Sequence, residues 1–363
     1  MFARPATAPR SRPLTSLLGH GAIGLITGVP FFLLVLLVLV LMAARPAAAD
    51  DRLSCGATDL VAALEKSDPA AYAKLEKEGE ETINSTARFW KVEKPGIKPD
   101  WLLGTMHVTD PRVTDLPEAA KAAYAAADAV ILESDEILNE KGATAKLMTK
   151  PELMFFTGRQ SLDDFLSPGQ EKDLEDLLKA RAIPFQSVIK MKPWIVTSMI
   201  SLSPCELARK SGGAAFLDMK LARDAVAQGK EVIGLETMAE QIEAMASLPM
   251  DFHVRSLVAA SRYPQYTADM METTLGLYLA GKIGMIFPAS VYFAPVKNSE
   301  DFADMAVFEE RLITRRNHVM AERAGPTLDQ GNIFMAVGAL HLMGKEGVVE
   351  LLRGQGFTLT PIF

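Results

Sequence analysis

The fold of this chain can be predicted from a pattern that first appears in the stretch Trp101-Leu102-Leu103-Gly104-Thr105-Met106-His107. An apolar run of the kind found in buried strands stops at a glycine, and a histidine follows three residues later. The same arrangement returns near the C-terminus, where the run at residues 333–337 is followed by Gly338 and His341. Two strands that end in Gly-x-x-His therefore frame the body of the chain.

The segments beside the first motif predict a hairpin and then parallel strands. Residues 87–93 form a candidate strand that is joined to the Trp101 run by a turn-rich link. An alanine-rich helix is predicted at residues 116–127, with Asp115 as its N-cap, and the buried-type strand at residues 129–133 follows it. A strand, a helix and a second strand at this spacing form a βαβ unit, which implies parallel pairing.

The remaining segments extend this sheet from the other end of the chain. Residues 137–223 lack clear strands and show helical spacing, whereas strands are predicted at residues 231–236, 333–337 and 357–361. We therefore expect an α/β fold, with a mainly parallel central sheet built from both ends of the body and a helical middle region. The strands at the two ends share one sheet, so a single domain is predicted at residues 50–363.

Residues 1–49 have the composition of an export segment. Three arginines precede an apolar run at residues 21–44, and Ala47-Ala48-Ala49 resembles a cleavage site. The run is longer than most signal-peptide cores and long enough to span a bilayer, so a cleaved signal peptide and a retained membrane anchor both stay open. Because the arginines stay in the cytoplasm, either alternative places the body on the periplasmic side.

The composition bears on the partners and on the redox compartment. The chain carries a formal charge of −7, and the export segment contributes four arginines without any Lys, Asp or Glu, so the body is more acidic still. An acidic body argues against a nucleic-acid partner, which needs a basic face. Cys55 and Cys205 are the two cysteines, and in an exported protein they favour one disulfide over two free thiols.

Four polar residues follow the ends of predicted strands. His107 and His341 belong to the two Gly-x-x-His motifs, and Glu133 and Glu236 directly follow apolar runs. Ligands of open α/β sheets bind beyond the carboxyl ends of the strands, so we expect these side chains at one edge. Two histidines and two carboxylates suit a divalent ion such as Zn, Mn or Co. Each glycine would let the backbone turn so that its histidine points over the sheet edge.

Each of these residues also has a purely structural interpretation. A single histidine after a strand is more often a surface or hydrogen-bonded residue than a ligand, and Glu236 could simply open the next helix. The repetition of Gly-x-x-His is what favours a metal site. His253 and His318 lie in helical surroundings without such a glycine, and the methionines at residues 270–285 are typical of core packing.

A series of short motifs links these residues in a fixed order. The motifs are Leu103-Gly104-Thr105-Met106-His107, residues 130–134, Lys192-Pro193-Trp194, Asp218, Gly234-Leu235-Glu236-Thr237, Gln241, Arg316-Asn317, and residues 337–342 with Gly344 and Gly347. With this order and spacing, residues 90–363 resemble the TraB/GumN family, which is related to the TIKI metalloproteases. The chain departs from the family at Leu340, where glycine usually precedes the second histidine.

This resemblance implies a TIKI/ChaN-like fold and metal-dependent peptidase activity that requires His107, His341 and Glu133. We therefore predict an extracytoplasmic metal-dependent hydrolase that acts on a peptide or protein substrate. His107, His341 and Glu236 are the predicted ligands of the ion, and Glu133 is the predicted general base, although the two glutamates could exchange these roles.

Two further residues are expected to support the site. Arg316 would either stabilise a developing oxyanion or pair with a carboxylate at the sheet edge. Asp218 is a candidate for orienting one of the histidines.

Two alternatives come from other functional classes. The same edge could bind haem or a metal complex without turnover, as a non-catalytic uptake or sensing protein of the cell envelope, because paired histidines near methionines are compatible with that role. The body could also be a structural partner of another envelope protein, with apolar surface in its helical middle and at residues 290–293.

Overall fold

The computed structural model describes residues 55–295 and 301–363, with only the backbone of residues 301 and 302. The predicted export segment, including its apolar run at residues 21–44, lies outside these ranges, as does the domain boundary predicted at residue 50. Within the two ranges, no helix has both the length and the apolar character needed to cross a membrane.

Six strands form one sheet in the order β4-β3-β5-β2-β1-β6. Strands β2, β3, β4 and β5 pair in parallel, whereas β1 pairs antiparallel with both β2 and β6. The mainly parallel α/β sheet and the β1–β2 hairpin are therefore confirmed. The strands span Phe89–Glu93 (β1), Asp100–Thr105 (β2), Ala129–Leu132 (β3), Glu231–Gly234 (β4), Ile333–Gly338 (β5) and Thr358–Pro361 (β6).

Strand β5, the second-last strand of the chain, lies in the interior of the sheet, between β2 and β3. Leu102 of β2 and Ile131 of β3 both face Met335 of β5 in the pairing register, and all three side chains are fully buried. Parallel neighbours need crossover connections, which here are helical. The prediction that both ends of the body build one sheet is confirmed.

Helices provide these connections and most of the chain between β3 and β4. The α-helices span Leu60–Ser67, Pro69–Glu80, Pro111–Thr114, Glu118–Ala126, Glu140–Leu147, Pro168–Ala180, Phe185–Val188, Pro193–Ser201, Pro204–Ser211, Leu217–Ala227, Met238–Ala246, Met250–Arg262, Pro264–Leu279, Ile286–Phe293, Asp301–Phe308, Arg315–Leu328 and Val348–Gly354, with a π-helical segment at Glu309–Thr314 and 3₁₀ turns at Asp135–Asn139, Pro151–Leu153, Leu162–Phe165, Ile283–Met285 and Ala339–His341. The helical middle region is confirmed.

Capping groups decide where several helices begin. Asp59 and Asp68 each accept a backbone N–H of the following turn, so two helices begin after them. The predicted N-cap at Asp115 is wrong. The backbone is extended at Asp115 and again at Pro117, so the helix begins only at Glu118.

The core has two parts. The larger part surrounds the sheet, and it includes the buried Met285, with Met270 and Met271 packed against it. This packing agrees with the interpretation of these methionines as core residues. The smaller part joins helices of the middle region around Leu174 and Leu257.

Cys55 and Cys205 form a disulfide, which confirms the predicted pairing. Their Cα atoms are 5.7 Å apart, within the usual range for a disulfide. The bridge ties the residues before the first helix to the helix Pro204–Ser211 of the middle region.

We expect loss of this bridge to lower the free energy of unfolding by about 2–5 kcal/mol, because the 150-residue separation of the cysteines leaves a long loop unconstrained in the unfolded chain. Urea denaturation of wild type and Cys55→Ser/Cys205→Ser measures the difference. The number of reactive thiols in denatured, unreduced wild type is the control. Two reactive thiols there would show that the bridge does not form.

Asp100, at the start of β2, is a fully buried carboxyl group. Its Oδ1 accepts the backbone N–H of Ile333 at 2.8 Å, whereas its Oδ2 has no hydrogen-bond partner. Burial raises the pKa of Asp100 to about 7, and Asp329 adds to this increase. The folded protein therefore holds a proton here that the unfolded chain releases near pH 4.

Because the folded-state pKa is the higher one, the stability that Asp100 contributes is fully present below about pH 4 and is lost as pH rises to about 7. The free energy of unfolding of wild type should fall relative to Asp100→Asn across this interval, by at most about 1.4 kcal/mol per pH unit. Urea denaturation at several pH values tests this expectation, with Asp251→Asn as an exposed control. A pH-independent difference between wild type and Asp100→Asn would contradict it.

Candidate functional site

The structure brings the four predicted residues together at the carboxyl edge of the parallel strands. Glu133 directly follows β3, and His107 and Glu236 lie two residues beyond β2 and β4. His341 ends the 3₁₀ turn that follows β5. These strands run in the same direction as neighbours, so their ends lie at one edge.

Glu133 lies between the two histidines. Its Oε2 is 3.9 Å from Nε2 of His107, and its Oε1 is 3.8 Å from Nε2 of His341. Glu133 and His341 are buried, whereas the His107 side chain is 54% exposed. His107 is therefore the side of this cluster that solvent and ligands can reach.

The Nδ1 atom of each histidine is held by another side chain. Nδ1 of His107 is 2.9 Å from Oδ2 of Asp218, and the other Asp218 oxygen accepts the Thr105 hydroxyl. This contact agrees with the predicted orienting role of Asp218. His341 Nδ1 lies 2.7 Å from Asn317 Oδ1. With Nδ1 engaged in each ring, Nε2 is the atom turned towards Glu133.

The tautomer of His341 follows from the hydrogen bonds of Asn317. The amide nitrogen of Asn317 donates to the carbonyl of Glu346, so its Oδ1 must accept from the imidazole. His341 therefore carries its proton on Nδ1 and keeps a lone pair on Nε2. Burial lowers the pKa of His341 to about 4, so the ring is neutral near pH 7. A neutral imidazole is the form that binds metal ions.

His107 differs in charge. Loss of hydration lowers the pKa of His107, but the carboxylates of Asp218 and Glu133 outweigh this effect and raise the pKa to about 9. In the protein without an ion, the ring is therefore protonated at neutral pH. A metal ion that binds Nε2 would have to displace this proton.

The Glu133 carboxylate receives hydrogen bonds from three separate segments. The backbone N–H of Gly338 donates to Oε1 at 2.7 Å, while Gln241 Nε2 and Arg316 Nη2 donate to Oε2 at 3.1 and 2.8 Å. Burial by itself raises the pKa of Glu133, but the two histidines, Arg316 and the Gly338 N–H lower it to about 2. Glu133 is therefore ionised although it is buried.

Arg316 joins the two glutamates. Its Nε and Nη2 donate to both oxygens of Glu236, with the shortest distance at 2.7 Å, and the same Nη2 donates to Glu133. Pairing with the carboxylates of the sheet edge was one of its two predicted roles. Arg316 is the second residue after the π-helical segment Glu309–Thr314, a type of irregularity that is frequent at functional sites.

The two motif glycines are required for close packing. Neither Gly104 nor Gly338 has a positive φ, so the backbone conformation alone does not demand glycine. A Cβ at Gly104 would lie 2.9 Å from Cα of Ala339, and one at Gly338 would lie 3.0 Å from Oε1 of Glu133. The expected reason for these glycines was a sharp turn of the backbone. In the structure they instead let the two motifs and Glu133 approach one another.

Sequence reasoning gave no role to Gln241 or to the Asn317 side chain. Both lie in helices, Gln241 108 positions from Glu133 and Asn317 24 positions from His341, and nothing in their spacing connects them to these residues. Their presence among the family motifs was the one available signal. His253 and His318, which the sequence did not assign to the site, lie away from it. His253 is buried against the carbonyl of Met245, and His318 pairs with Glu346 on the surface.

In the two described ranges, no group of three or more His, Cys, Asp or Glu side chains has an arrangement that could hold a metal ion. Glu236 is engaged by Arg316, and Glu133 is the acidic residue nearest to both Nε2 atoms.

The fold and this edge define a class of protein, namely an α/β protein whose paired histidines and buried carboxylates meet beyond the ends of parallel strands. The sequence model of the TraB/PrgY/gumN family matches residues 88–361. The chain belongs to this family.

Relatives with assigned names are similar over most of the chain. The chain is 24% identical to Metalloprotease TIKI2 of Danio rerio over 312 residues, which covers 74% of the chain and 60% of the relative. It is 24% identical to Metalloprotease TIKI1 of Danio rerio over 311 residues, which covers 74% of the chain and 62% of the relative. For Metalloprotease TIKI1 of Xenopus tropicalis the identity is 23% over 342 residues, which covers 82% of the chain and 65% of the relative. The chain thus spans less than two thirds of each relative's length, and no solved structure matches it.

We expect Arg316→Met to lower the free energy of unfolding by about 3–5 kcal/mol when divalent ions are chelated, because Glu133 and Glu236 would then be buried without their cation. Urea denaturation in the presence of EDTA measures this loss. Arg315→Ala is the matched control, because Arg315 makes an exposed pair with Glu310 and should contribute at most about 1 kcal/mol. Equal effects of the two substitutions would contradict the expectation.

Proposed function

We propose that this protein is an extracytoplasmic metal-dependent hydrolase that cleaves peptide bonds. The observation that carries the proposal is the arrangement of His107 and His341, whose Nε2 atoms both lie within 4 Å of the Glu133 carboxylate. Asp218 and Asn317 hold the opposite nitrogen of each ring, as outer partners of metal-binding histidines do. Membership of the family and similarity to proteins named metalloproteases support the same activity.

The donor atoms are of the kinds that bind a divalent ion such as Zn, Mn or Co. The Nε2 atoms of His107 and His341 lie 3.9 and 3.8 Å from different oxygens of Glu133, so these side chains would have to move closer together before all three could bind one ion. We propose that His107, His341 and Glu133 would hold the ion. Glu133 is preferred to Glu236 because Arg316 already engages both oxygens of Glu236.

When bound, such an ion would polarise the substrate carbonyl as a Lewis acid. The residues of the chain provide the remaining functions. His107 faces solvent and meets the substrate first, whereas His341 is buried and fixed by Asn317. Arg316 keeps a positive charge 2.8 Å from Glu133, which would favour negative charge that develops on the substrate oxygen.

An exported location agrees with two features of the chain. The disulfide between Cys55 and Cys205 is expected in an oxidising compartment, and residues 1–49 have the composition of an export segment. We propose that the body faces the periplasm, either released after cleavage near Ala49 or anchored through residues 21–44.

Elemental analysis of the purified protein tests the site before any substrate is known. After exposure to Zn, Mn or Co and removal of free ions, wild type should retain close to one ion per chain. His341→Ala should retain at least about tenfold less, because a ligand is lost. His318→Ala is the matched control, since that surface histidine pairs with Glu346 away from the cluster, and it should retain the ion.

Cleavage of a mixed peptide library should follow the same order among the variants and should stop when a chelator is added. A wild-type protein that retains none of the three ions would refute the proposal. A haemin titration distinguishes the proposed hydrolase from the non-catalytic alternative. A Soret shift that depends on His107, without any peptide cleavage, would favour haem binding.

A further inference from the structure

A cavity of about 70 Å³ adjoins the exposed histidine of the site. His107 forms part of its lining, and much of the remaining lining is apolar. The apolar lining includes Val108, Leu202, Ala268, Met271 and Leu275. The cavity therefore adjoins the cluster around Glu133 at His107, the residue that belongs to both.

Charged residues also border the cavity, but they bond to the protein itself. The Glu206 carboxylate accepts the backbone N–H and the hydroxyl of Thr109 at 2.9 and 2.8 Å, and Arg209 donates to it at 3.2 Å. Because these donors already satisfy Glu206, it does not require a charged group from a ligand.

A second ion-paired group lies on the same border. Arg112 donates to both carboxylates of Asp110 and Glu272, at distances of 2.7–3.0 Å. The surface that remains for a ligand is therefore mainly apolar. A charged ligand side chain would lose its hydration in this cavity, and it would have to compete for charged groups that are already paired within the protein.

We infer that this cavity is a substrate subsite that binds an uncharged aliphatic side chain, such as leucine or methionine, next to the peptide bond that is cleaved. The inference rests on the proposed function, because it treats His107 as the residue where the substrate enters the site. The shared His107 places the side chain beside the cluster, and the apolar lining selects its chemistry. The disulfide supports this wall, since Cys55 lines the cavity and Cys205 precedes Glu206 in the helix Pro204–Ser211.

Binding can be measured without catalysis. The histidine rings of chelator-treated protein are labelled with ¹⁵N, and His107→Gln identifies the His107 signals. N-acetyl-leucinamide should shift these signals saturably. N-acetyl-lysinamide and the amide of N-acetyl-aspartate should bind at least about tenfold more weakly, because each buries a charge beside groups that already have partners in the protein. If N-acetyl-leucinamide leaves the His107 signals unchanged, the inference is wrong.

Substitutions in the wall test whether the cavity is the place of binding. Ala268→Leu fills the cavity and should weaken the binding of N-acetyl-leucinamide at least about tenfold. A misfit of one methylene group in an apolar pocket has an effect of this size. Ala70→Leu, on the exposed surface of the helix Pro69–Glu80, is the matched control and should bind as wild type does. Met271→Ala enlarges the cavity and should shift the preference towards N-acetyl-tryptophanamide, which provides a second test if Ala268→Leu does not fold.

Peptide cleavage then connects the cavity to the reaction. In a peptide series that varies at one residue, wild type should show kcat/KM at least about tenfold higher for leucine or methionine than for aspartate or lysine, and Ala268→Leu should reduce this preference. Cleavage without such a preference would overturn the inference. If no peptide is cleaved at all, the proposed function fails, whereas the preference of the cavity is still decided by the His107 signals.

Discussion

The ionised carboxylate of Glu133, buried at the edge of the sheet, is the constraint on which the rest of the site depends. A buried charge is tolerated only when it is paired and hydrogen-bonded, and Glu133 meets this requirement through Gly338, Gln241 and Arg316. These three donors come from β5 and from two different helices. The charge of one side chain is therefore stabilised only when segments far apart in sequence have assembled.

The position of β5 makes this assembly possible. The strand is inserted between β2 and β3, so the C-terminal Gly-x-x-His motif is brought beside the N-terminal one. Close approach of the motifs leaves no space for a Cβ at Gly104, and a Cβ at Gly338 would lie 3.0 Å from Oε1 of Glu133. The same contact places one exposed and one buried histidine on the two sides of Glu133. This asymmetry gives the site a direction, with His107 towards the apolar cavity and His341 towards the core.

Arg316 gives the site a dual character. Its guanidinium compensates both glutamates in the protein without an ion, which explains how the carboxylates stay buried together. It also engages Glu236, which was the acidic ligand predicted from the sequence, and leaves Glu133 as the acidic neighbour of both imidazoles. The prediction of a metal site and the observed ion-pair network therefore concern the same side chains. Which of them bind an ion is a question of competition between Arg316 and that ion.

The sequence by itself determined the elements of the fold and the identity of the polar residues at their ends. Apolar runs, helical spacing and glycine stops are local patterns, so they predicted the parallel sheet, the helical middle and the strand-end positions of His107, Glu133, Glu236 and His341. Two cysteines in a chain with a predicted export segment also sufficed to predict the disulfide. The roles of Gln241, Asn317 and Arg316, and the helix start at Glu118 rather than after Asp115, were decided only by the tertiary structure. Hydrogen bonds between helices and strand ends depend on distances in space between residues that are 24 positions apart for Asn317 and His341, 108 for Gln241 and Glu133, and 183 for Arg316 and Glu133. Local sequence patterns do not encode those distances.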